Sequence, residues 1–411
     1  MIWAIVCGIV VIAGIWTAAL LLGWPLGIPI GVSVLVLAAI GILIAFRFVR
    51  SRQRAAELEA ELHRQSKDRT ARPEAVLEIQ GRVRELATAL RRNYSGNRLG
   101  NGALYASPWY LVLGPPGAGK STALQNSGLA LRAAAGRQPK TRTTAPTRGI
   151  EPWLADGGVL IDTAGRYALG DGEEAEWSEL LAALRRTRRQ KPLDGVVLAY
   201  NVSELVSDRP EQLEEKAKRL RSCLEELGNQ LGSVLPVYLL LTKADLLPGF
   251  SQFHDDVGGD ASDRIWGATF EPRHDEGLEP AEALKAEFDL MKEALHAHLL
   301  ARLPAAQRTP DSCAAALRFP VEFETVRAPL ARLVEELFRP SSYQETPLLR
   351  GFYFTSCGNG GGGFEAVGAA LQGPGTAFAV HTSFAAPSVG RSYFLGELFP
   401  RVVFPDRHFA T

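Results

Sequence analysis

The sequence predicts an α/β protein with a transmembrane helical hairpin at its N-terminus, a mostly parallel sheet behind it and a mainly helical extension towards its C-terminus. Three observations predict this architecture. Residues 1–46 contain no charged side chain, short apolar strands then alternate with helical patterns, and a glycine-rich loop follows the first strand. Strands that alternate with helices favour a parallel sheet that is covered on both faces.

The composition argues against several classes of protein. The chain has 45 basic and 45 acidic residues, and this neutral balance is not typical of a nucleic-acid binder. Its four cysteines are scattered without a C-x-x-C pair. We therefore expect no disulfide framework and no zinc ribbon, but reduced thiols in a cytosolic compartment. The seven histidines form no cluster with ligand spacing, so no zinc site is expected.

Two apolar runs, at about residues 2–22 and 28–46, predict the hairpin. Each run approaches the roughly 20 residues that a helix needs to cross a hydrocarbon core. The prolines of "GWPLGIP" separate them, because proline does not continue a helix. The other interpretations are a secretory signal peptide and a buried soluble hairpin. A signal peptide is disfavoured since the run has neither a basic start nor a small-residue cleavage site.

Basic side chains directly after the second run predict the orientation of the hairpin. They are Arg47, Arg50, Arg52 and Arg54. Arginine clustered beside a membrane span stays on the cytoplasmic side. Two crossings return the chain to that side, so we expect a multi-pass protein in the lipid bilayer with the bulk of the chain in the cytoplasm.

Short apolar runs behind the hairpin predict the strands of the sheet. They lie at Trp109–Leu113, 159–161, 196–200, 237–241 and Leu348–Phe354. Apolar residues at spacings of three and four predict helices between and around them, for example at 213–227 and 284–299. A further helix is predicted at 330–338.

The stretch "WYLVLGPPGAGKSTAL" places a G-x-x-x-x-G-K-[ST] pattern directly behind the first strand. Glycines let backbone N–H groups turn towards phosphates, helped by the N-terminus of the following helix. The lysine neutralises the β- and γ-phosphates in such loops, and the serine ligates Mg²⁺. The alternative is a glycine-rich turn that binds nothing. The predicted nucleotide-binding residues are Gly114, Gly117, Ala118, Gly119, Lys120, Ser121 and Thr122.

A second element, "GGVLIDTAGRY", delivers Asp162 at the end of a strand, where P-loop NTPases hold Mg²⁺. Gly165 then has the D-x-x-G spacing whose glycine senses the γ-phosphate in GTPases. In "KTRTTAPTRG", Thr143, Thr144 and Thr147 could each supply a switch hydroxyl to Mg²⁺. Thr147 is our choice, and the predicted Mg²⁺ ligands are the loop serine and this aspartate.

A third element, "VYLLLTKADLL", matches the T-K-x-D variant of the guanine-specificity motif. Thr242, Lys243 and Asp245 are the predicted base-binding residues. An aspartate there accepts hydrogen bonds from two donors on guanine, while the lysine stem packs on the base. The alternative is a strand that ends in a solvated turn. "FTS" at 354–356 is a further candidate for a base-contacting loop.

The position after D-x-x-G predicts slow hydrolysis. Many GTPases place a glutamine there to orient the attacking water, whereas this chain has Arg166. The arginine could stabilise charge in the transition state, but it accepts no proton from water. Any hydrolysis is therefore expected to be slow or to depend on a partner. We interpret the acidic run at 171–177 as a solvated helix start.

Together these elements divide the chain into four segments. Residues 1–46 are the hairpin and 47–72 a charged helical stalk. Residues 73–249 form a P-loop GTPase-like NTPase domain. Residues 250–411 form the mainly helical extension, with a late strand that returns to the sheet.

The ordered combination of the hairpin, "WYLVLGPPGAGKST", "LIDTAGRY", "LTKADLL", "RGFYFTS" and "SYFLGELFPRVVFPD" resembles the TssM/IcmF family over essentially the whole chain. Members are inner-membrane core components of bacterial type VI secretion systems. In that family a third transmembrane helix and a large periplasmic region follow the cytoplasmic domain. No third apolar span occurs before Thr411, so we expect those parts in a longer protein.

The resemblance implies an assembly scaffold in the bacterial inner membrane that forms a homo-oligomer in the full complex. The implied partners are a TssL-like inner-membrane protein, cytoplasmic baseplate components and, through the periplasmic region, a TssJ-like lipoprotein. The implied cofactors are Mg²⁺ with GTP or ATP, and T-K-x-D favours guanine. Two alternatives stay open: a purely structural scaffold with a vestigial pocket, and a membrane-associated GTPase of another pathway.

Overall fold

A computed structural model describes most of the chain behind residue 72. The described ranges are 73–94, 100–134, 147–168, 174–254, 264–271, 279–302, 310–340, 345–357 and 392–410. All of them belong to one compact unit, Ala71–Thr411. The predicted hairpin and stalk lie outside the described residues. None of the helices within the described ranges is long and apolar enough to span a bilayer.

The strands begin with the predicted one at the front of the phosphate loop. They are β1 Trp109–Leu113, β2 Arg132–Ala133, β3 Ile150–Ala155, β4 Gly158–Thr163, β5 Gly195–Asn201, β6 Pro236–Thr242, β7 Gly267–Thr269, β8 Leu348–Phe354, β9 Ser356–Cys357 and β10 Ser392–Tyr393. The helices are α1 Pro73–Tyr94, α2 Lys120–Gln125, α3 Glu174–Thr187, α4 Val202–Ser207, α5 Pro210–Leu231, α6 Phe250–His254, α7 Pro280–Arg302 and α8 Pro310–Leu337.

Eight of the described strands form one mixed sheet in the order β2-β3-β4-β1-β5-β6-β8-β7. The middle of the sheet, β4-β1-β5-β6-β8, is parallel, whereas β3 and β7 run antiparallel to their neighbours β4 and β8. The prediction of an α/β fold with a mostly parallel sheet is therefore confirmed. Strands β1, β5 and β6 are buried along their whole length, as continuous apolar runs in a covered parallel sheet should be.

Successive side chains of β1 point to opposite faces of the sheet, as in any β-strand. Trp109, Leu111 and Leu113 join the larger core with α1, α3, α5, α7 and α8. Tyr110 and Val112 join a second core with α2 and with residues 395–404 of the C-terminal segment. The Tyr110 hydroxyl donates to the carbonyl oxygen of Val403, which ties that segment to the central strand.

The helical extension differs from the prediction at α8. Only residues 330–338 were predicted as a helix, but α8 begins at Pro310 and contains Pro320 and Pro329 in its interior. Packing explains the difference. Phe319, Phe323 and Val326 are fully buried in the larger core, so tertiary contacts outweigh the local cost of the two prolines.

Candidate nucleotide-binding site

The carboxyl ends of β1, β4, β5 and β6 meet at one edge of the sheet because these strands are parallel. The phosphate-loop motif follows β1, Asp162 lies at the end of β4 and Thr242 ends β6. In open parallel sheets, ligands bind outside this edge. The fold thus brings the three separately predicted motifs to one place.

The backbone of the phosphate loop has the conformation that its glycines allow. Gly117 and Gly119 have φ angles of 78° and 76°, in the region that favours glycine. A Cβ atom on Gly114 would lie 2.2 Å from the carbonyl oxygen of Ala199, so β5 leaves room only for hydrogen there. The loop therefore depends on glycine at all three predicted positions.

Lys120 starts α2 and turns its side chain back into the loop. Its buried ammonium group donates to the carbonyl oxygens of Gly114 at 2.7 Å and Pro115 at 3.1 Å. Burial lowers the pKa of Lys120, although the nearby charge of Asp162 acts in the opposite direction. The lysine is thus held inside the loop, as a ligand for phosphate oxygens requires.

Two other predicted loop residues make contacts within the protein. Ala118 N–H donates to the carbonyl oxygen of Pro115 at 3.2 Å, and the carbonyl of Ala118 accepts from Thr242. The carbonyl of Thr122 accepts from the backbone N–H and the side-chain amide of Asn126 at the end of α2. These contacts fix the shape of the loop and its short helix.

Three side-chain oxygen atoms converge beside the loop. Asp162 Oδ2 accepts hydrogen bonds from Ser121 Oγ at 2.5 Å and from Thr147 Oγ1 at 3.0 Å, and the two hydroxyl oxygens are 3.0 Å apart. Of the three threonines considered as the switch residue, Thr147 lies within the described residues and reaches this point. The other two, at 143 and 144, lie outside them.

Asp162 is completely buried, and its Oδ1 atom has no hydrogen-bond partner among the described residues. Burial raises the pKa of Asp162 to about 6, while the hydroxyl of Ser121 and the charge of Lys120 oppose the shift. A carboxylate and two hydroxyls are the hard oxygen ligands that Mg²⁺ prefers. Mg²⁺ is usually bound by one or two protein carboxylates and takes its remaining ligands from phosphate and water, so a single carboxylate is consistent with this ion. The residues present fit the ion.

Of the residues that follow Asp162, Gly165 lies against the phosphate loop, and the next two pair with a glutamate of α3. Gly165 lies against Pro116, so that a Cβ atom on this glycine would be 2.5 Å from the Pro116 backbone. The Arg166 guanidinium pairs with Glu176 Oε2 at 2.5 Å, and the Tyr167 hydroxyl donates to the same oxygen at 3.1 Å. Arg166, predicted as a transition-state residue, is thus held by an ion pair.

The interpretation of the acidic run as a solvated helix start is wrong for Glu176. This residue lies in the first turn of α3 and is only 2% exposed. No sequence pattern predicts its partner, because the pairing with Arg166 depends on how α3 packs against the end of β4. Residues 171–173 of the run lie outside the described residues.

The predicted base loop follows β6. The Thr242 hydroxyl donates to the carbonyl oxygen of Ala118 at 2.7 Å, so it joins this loop to the phosphate loop. Lys243 has a φ of 58°, which is uncommon for a residue with a side chain. Asp245 lies in the next turn and accepts a hydrogen bond from Ser356 at 2.6 Å. Ser356 belongs to the "FTS" segment that was a further candidate for the base loop.

The fold and these converging motifs define an α/β domain of the P-loop type. The family model of the IcmF-related N-terminal domain matches residues 170–411, which is more than half of the chain and begins after the phosphate loop. The chain therefore belongs to the TssM/IcmF family. It is 34% identical over 344 residues to the type VI secretion system component TssM1 of Pseudomonas aeruginosa, strain PAO1. The match covers 82% of this chain and 31% of that protein, so the chain spans about a third of its relative.

Solved structures that resemble the chain include three GTP-related proteins. The signal recognition particle receptor SRb-GTP/SRX complex of Chaetomium thermophilum is 21% identical with a TM-score of 0.26, over 34% of this chain and 71% of that one. The ARF-like or Sar1 GTPase of Encephalitozoon cuniculi with GDP is 13% identical with a TM-score of 0.23. The match covers 70% of this chain and 91% of that one. The G domain of the T. maritima FeoB iron transporter is 21% identical with a TM-score of 0.20. The match covers 34% of this chain and 74% of that one.

Proposed function

We propose that this chain is the nucleotide-binding part of a type VI secretion subunit, and that it binds a nucleoside triphosphate with Mg²⁺ at the carboxyl edge of its sheet. The observation that carries the proposal is the convergence of Ser121, Thr147 and Asp162 beside the buried ammonium of Lys120. Lys120 binds the β- and γ-phosphates, and the three oxygens hold Mg²⁺. The ion supplies positive charge against the phosphates.

The nucleotide acts as a conformational effector in a scaffold. A ligand shifts an equilibrium only through different affinities for two states. Gly165 lies against the phosphate loop, and Thr147 reaches the Mg²⁺ ligands, so both are placed to respond to a γ-phosphate. Hydrolysis is slow or depends on a partner, since Arg166 pairs with Glu176 and no glutamine follows Gly165.

The subunit resides in the bacterial inner membrane, anchored by residues 1–46, with the described domain on the cytoplasmic side. The uncharged run and the arginines after it support this topology. Its partners are a TssL-like membrane protein, baseplate components, further copies of the subunit and, through a region beyond this chain, a TssJ-like lipoprotein. The similarity to a type VI secretion component supports this assignment.

Secretion in cells tests the proposal. The full-length subunit would carry Lys120→Ala, with Lys218→Ala as the control. Lys218 is an exposed lysine of α5 whose ammonium pairs with Glu214 one turn away. We expect Lys120→Ala to abolish secretion at normal protein levels and the control to secrete normally. Normal secretion by Lys120→Ala would favour a structural scaffold that does not need nucleotide.

A further inference from the structure

Glu204 lies beside the phosphate loop, although it belongs to none of the motifs that define the site. It is part of α4, which directly follows β5 at the carboxyl edge of the sheet. Apart from residues next to it in the chain, the atom nearest to a Cβ placed on Gly117 would be Glu204 Oε1, at 3.8 Å. A carboxylate thus lies next to a loop whose backbone N–H groups are suited to anions.

Hydrogen bonds hold this carboxylate in place. Asn201 ends β5 and is only 6% exposed. Its side-chain oxygen accepts from the backbone N–H of Ser203 at 3.0 Å, and its amide nitrogen donates to Glu204 Oε1 at 3.1 Å. The asparagine therefore caps α4 and at the same time keeps this carboxylate oxygen beside Gly117.

The ammonium group next to Glu204 is shared with a second carboxylate. Lys216 Nζ is 2.7 Å from Asp208 Oδ2 but 3.5 Å from Glu204 Oε2. The Asp208 side chain is also the less exposed of the two, at 14% compared with 35% for Glu204. Two carboxylates and one ammonium leave one negative charge without compensation, and the distances assign it to Glu204.

This negative charge acts against a nucleotide in the phosphate loop. Like charges repel, and the repulsion between groups closer than the Debye length, about 10 Å at 0.1 M salt, is only partly screened. A nucleoside triphosphate carries one negative charge more than the diphosphate. The repulsion therefore opposes the triphosphate more strongly than the diphosphate.

We propose that Glu204 is a specificity-determining residue of the nucleotide site, and that its charge weakens the binding of a triphosphate more than that of a diphosphate. This inference rests on the proposed function, because it concerns the same phosphate loop. Its consequence is a site that releases a triphosphate readily. The occupancy of such a site follows the nucleotide concentration instead of staying saturated.

Glu204→Gln tests the inference, because it removes the charge while the glutamine oxygen still accepts from Asn201. The purified chain is titrated with fluorescent analogues of GTP, GDP, ATP and ADP in the presence of Mg²⁺. We expect the variant to bind the triphosphates about 3- to 10-fold more tightly than the unaltered chain does, with a smaller gain for the diphosphates. Glu324→Gln is the matched control, since the Glu324 side chain is 40% exposed and pairs with Lys292 of another helix at 2.8 Å. It should leave all affinities unchanged.

Lys216→Met changes the charge in the opposite direction. Loss of the ammonium group leaves both carboxylates unopposed, so the affinity for triphosphates should fall about 3- to 10-fold. Both effects should decrease in 1 M NaCl, where the Debye length is about 3 Å. A purely structural role of Glu204 would instead weaken binding in both variants at either salt concentration.

The outcomes distinguish this inference from the proposed function. If the unaltered chain binds nucleotide and Glu204→Gln binds triphosphates no more tightly, the inference is overturned and the proposed function stands. No nucleotide binding by the unaltered chain or by any variant would refute both.

Discussion

Gly165 lies directly against Pro116 of the phosphate loop, so that a Cβ atom on Gly165 would be 2.5 Å from the Cα atom of Pro116. The D-x-x-G segment and the phosphate loop are therefore in backbone contact. In the proposed switch, a bound phosphate that displaces one of them would displace the other through this contact. The proposed switch depends on it.

Gly165→Ala should disrupt this contact. The nearest atoms belong to the backbone of Pro115 and Pro116, which cannot rotate away. We therefore expect overpacking to lower the free energy of unfolding by about 1–3 kcal/mol. Nucleotide affinity should fall at least about 10-fold. Gly81→Ala in α1 is the control, because a Cβ atom there meets nothing within 4 Å. It should leave affinity unchanged and raise the free energy of unfolding by about 0.5–1 kcal/mol. Equal effects of the two substitutions would argue against the contact.

Ser121→Ala should remove the Mg²⁺ dependence of nucleotide binding. Ser121 Oγ is bonded to Asp162 Oδ2 at 2.5 Å and is one of three oxygens available to the ion. Loss of one ligand should weaken binding about 10- to 100-fold when Mg²⁺ is present and much less when it is chelated. Titration with and without EDTA measures this. Ser222→Ala, at an exposed serine of α5, should behave as the unaltered protein. A Ser121→Ala protein with an intact Mg²⁺ effect would contradict the ligand set.

Glu176→Gln should destabilise the fold. The change leaves the Arg166 guanidinium and the Tyr167 hydroxyl without their shared carboxylate. Because the Arg166 side chain is 32% exposed, water compensates part of the lost interaction. We therefore expect the free energy of unfolding to decrease by about 2 kcal/mol. Denaturant unfolding provides the value. Glu214→Gln breaks an exposed pair with Lys218 and should cause no measurable change. A Glu176→Gln protein as stable as its parent would show that the buried pair contributes nothing.

Asp194→Ala should destabilise the fold more than Glu176→Gln does. Asp194 Oδ2 accepts from Arg188 at 2.9 Å and from the backbone N–H of Trp109 at 2.7 Å, where β1 begins. Both side chains are almost completely buried, and the guanidinium lies 5.0 Å from the ring centres of Tyr105 and Trp109. Removing the carboxylate leaves a buried charge unpaired, so a loss of about 4 kcal/mol is expected from thermal and denaturant unfolding. A loss below about 1 kcal/mol would contradict this account.

Cysteine alkylation tests the surroundings of two thiols, the buried Cys223 and the partly exposed Cys357. Burial raises the pKa of Cys223 and of Cys357 to about 12 each, and Cys223 also donates to the carbonyl oxygen of Tyr167. Thiolate is the reactive form, so at pH 8 only about one molecule in ten thousand is reactive at these sites. Among the three cysteines that the structure describes, mass spectrometry should find the partly exposed Cys313 alkylated first. In denaturant the three should react alike, and rapid native labelling of Cys223 would contradict its buried environment.

The parallel strands were predictable because they are buried on both faces and therefore read as apolar runs. β3 was missed, since it is an antiparallel strand with Pro152 in its interior and partly exposed residues at Glu151 and Leu154. α8 was predicted only at its end because local rules stop a helix at Pro320 and Pro329. Tertiary packing decides such elements, and it is not visible in a local pattern.

The motif residues of the candidate site were predictable because each follows a predicted strand at a recognisable spacing. The residues that form hydrogen bonds with these motif residues were not predictable. Glu176 reaches Arg166 from another helix, and Ser356 lies 111 residues from Asp245 in sequence. The structural use of Thr242 was also missed, because its hydroxyl contacts the phosphate loop itself. Contacts between distant segments depend on the assembled sheet.

The most direct test of the account is titration of the purified chain with fluorescent GTP and ATP analogues, with Mg²⁺ and with EDTA. We expect saturable binding that needs Mg²⁺ and is lost in Lys120→Ala but kept in Lys218→Ala. No binding of either nucleotide by the folded, unaltered chain up to about 1 mM, where affinity amounts to only about −4 kcal/mol, would contradict it.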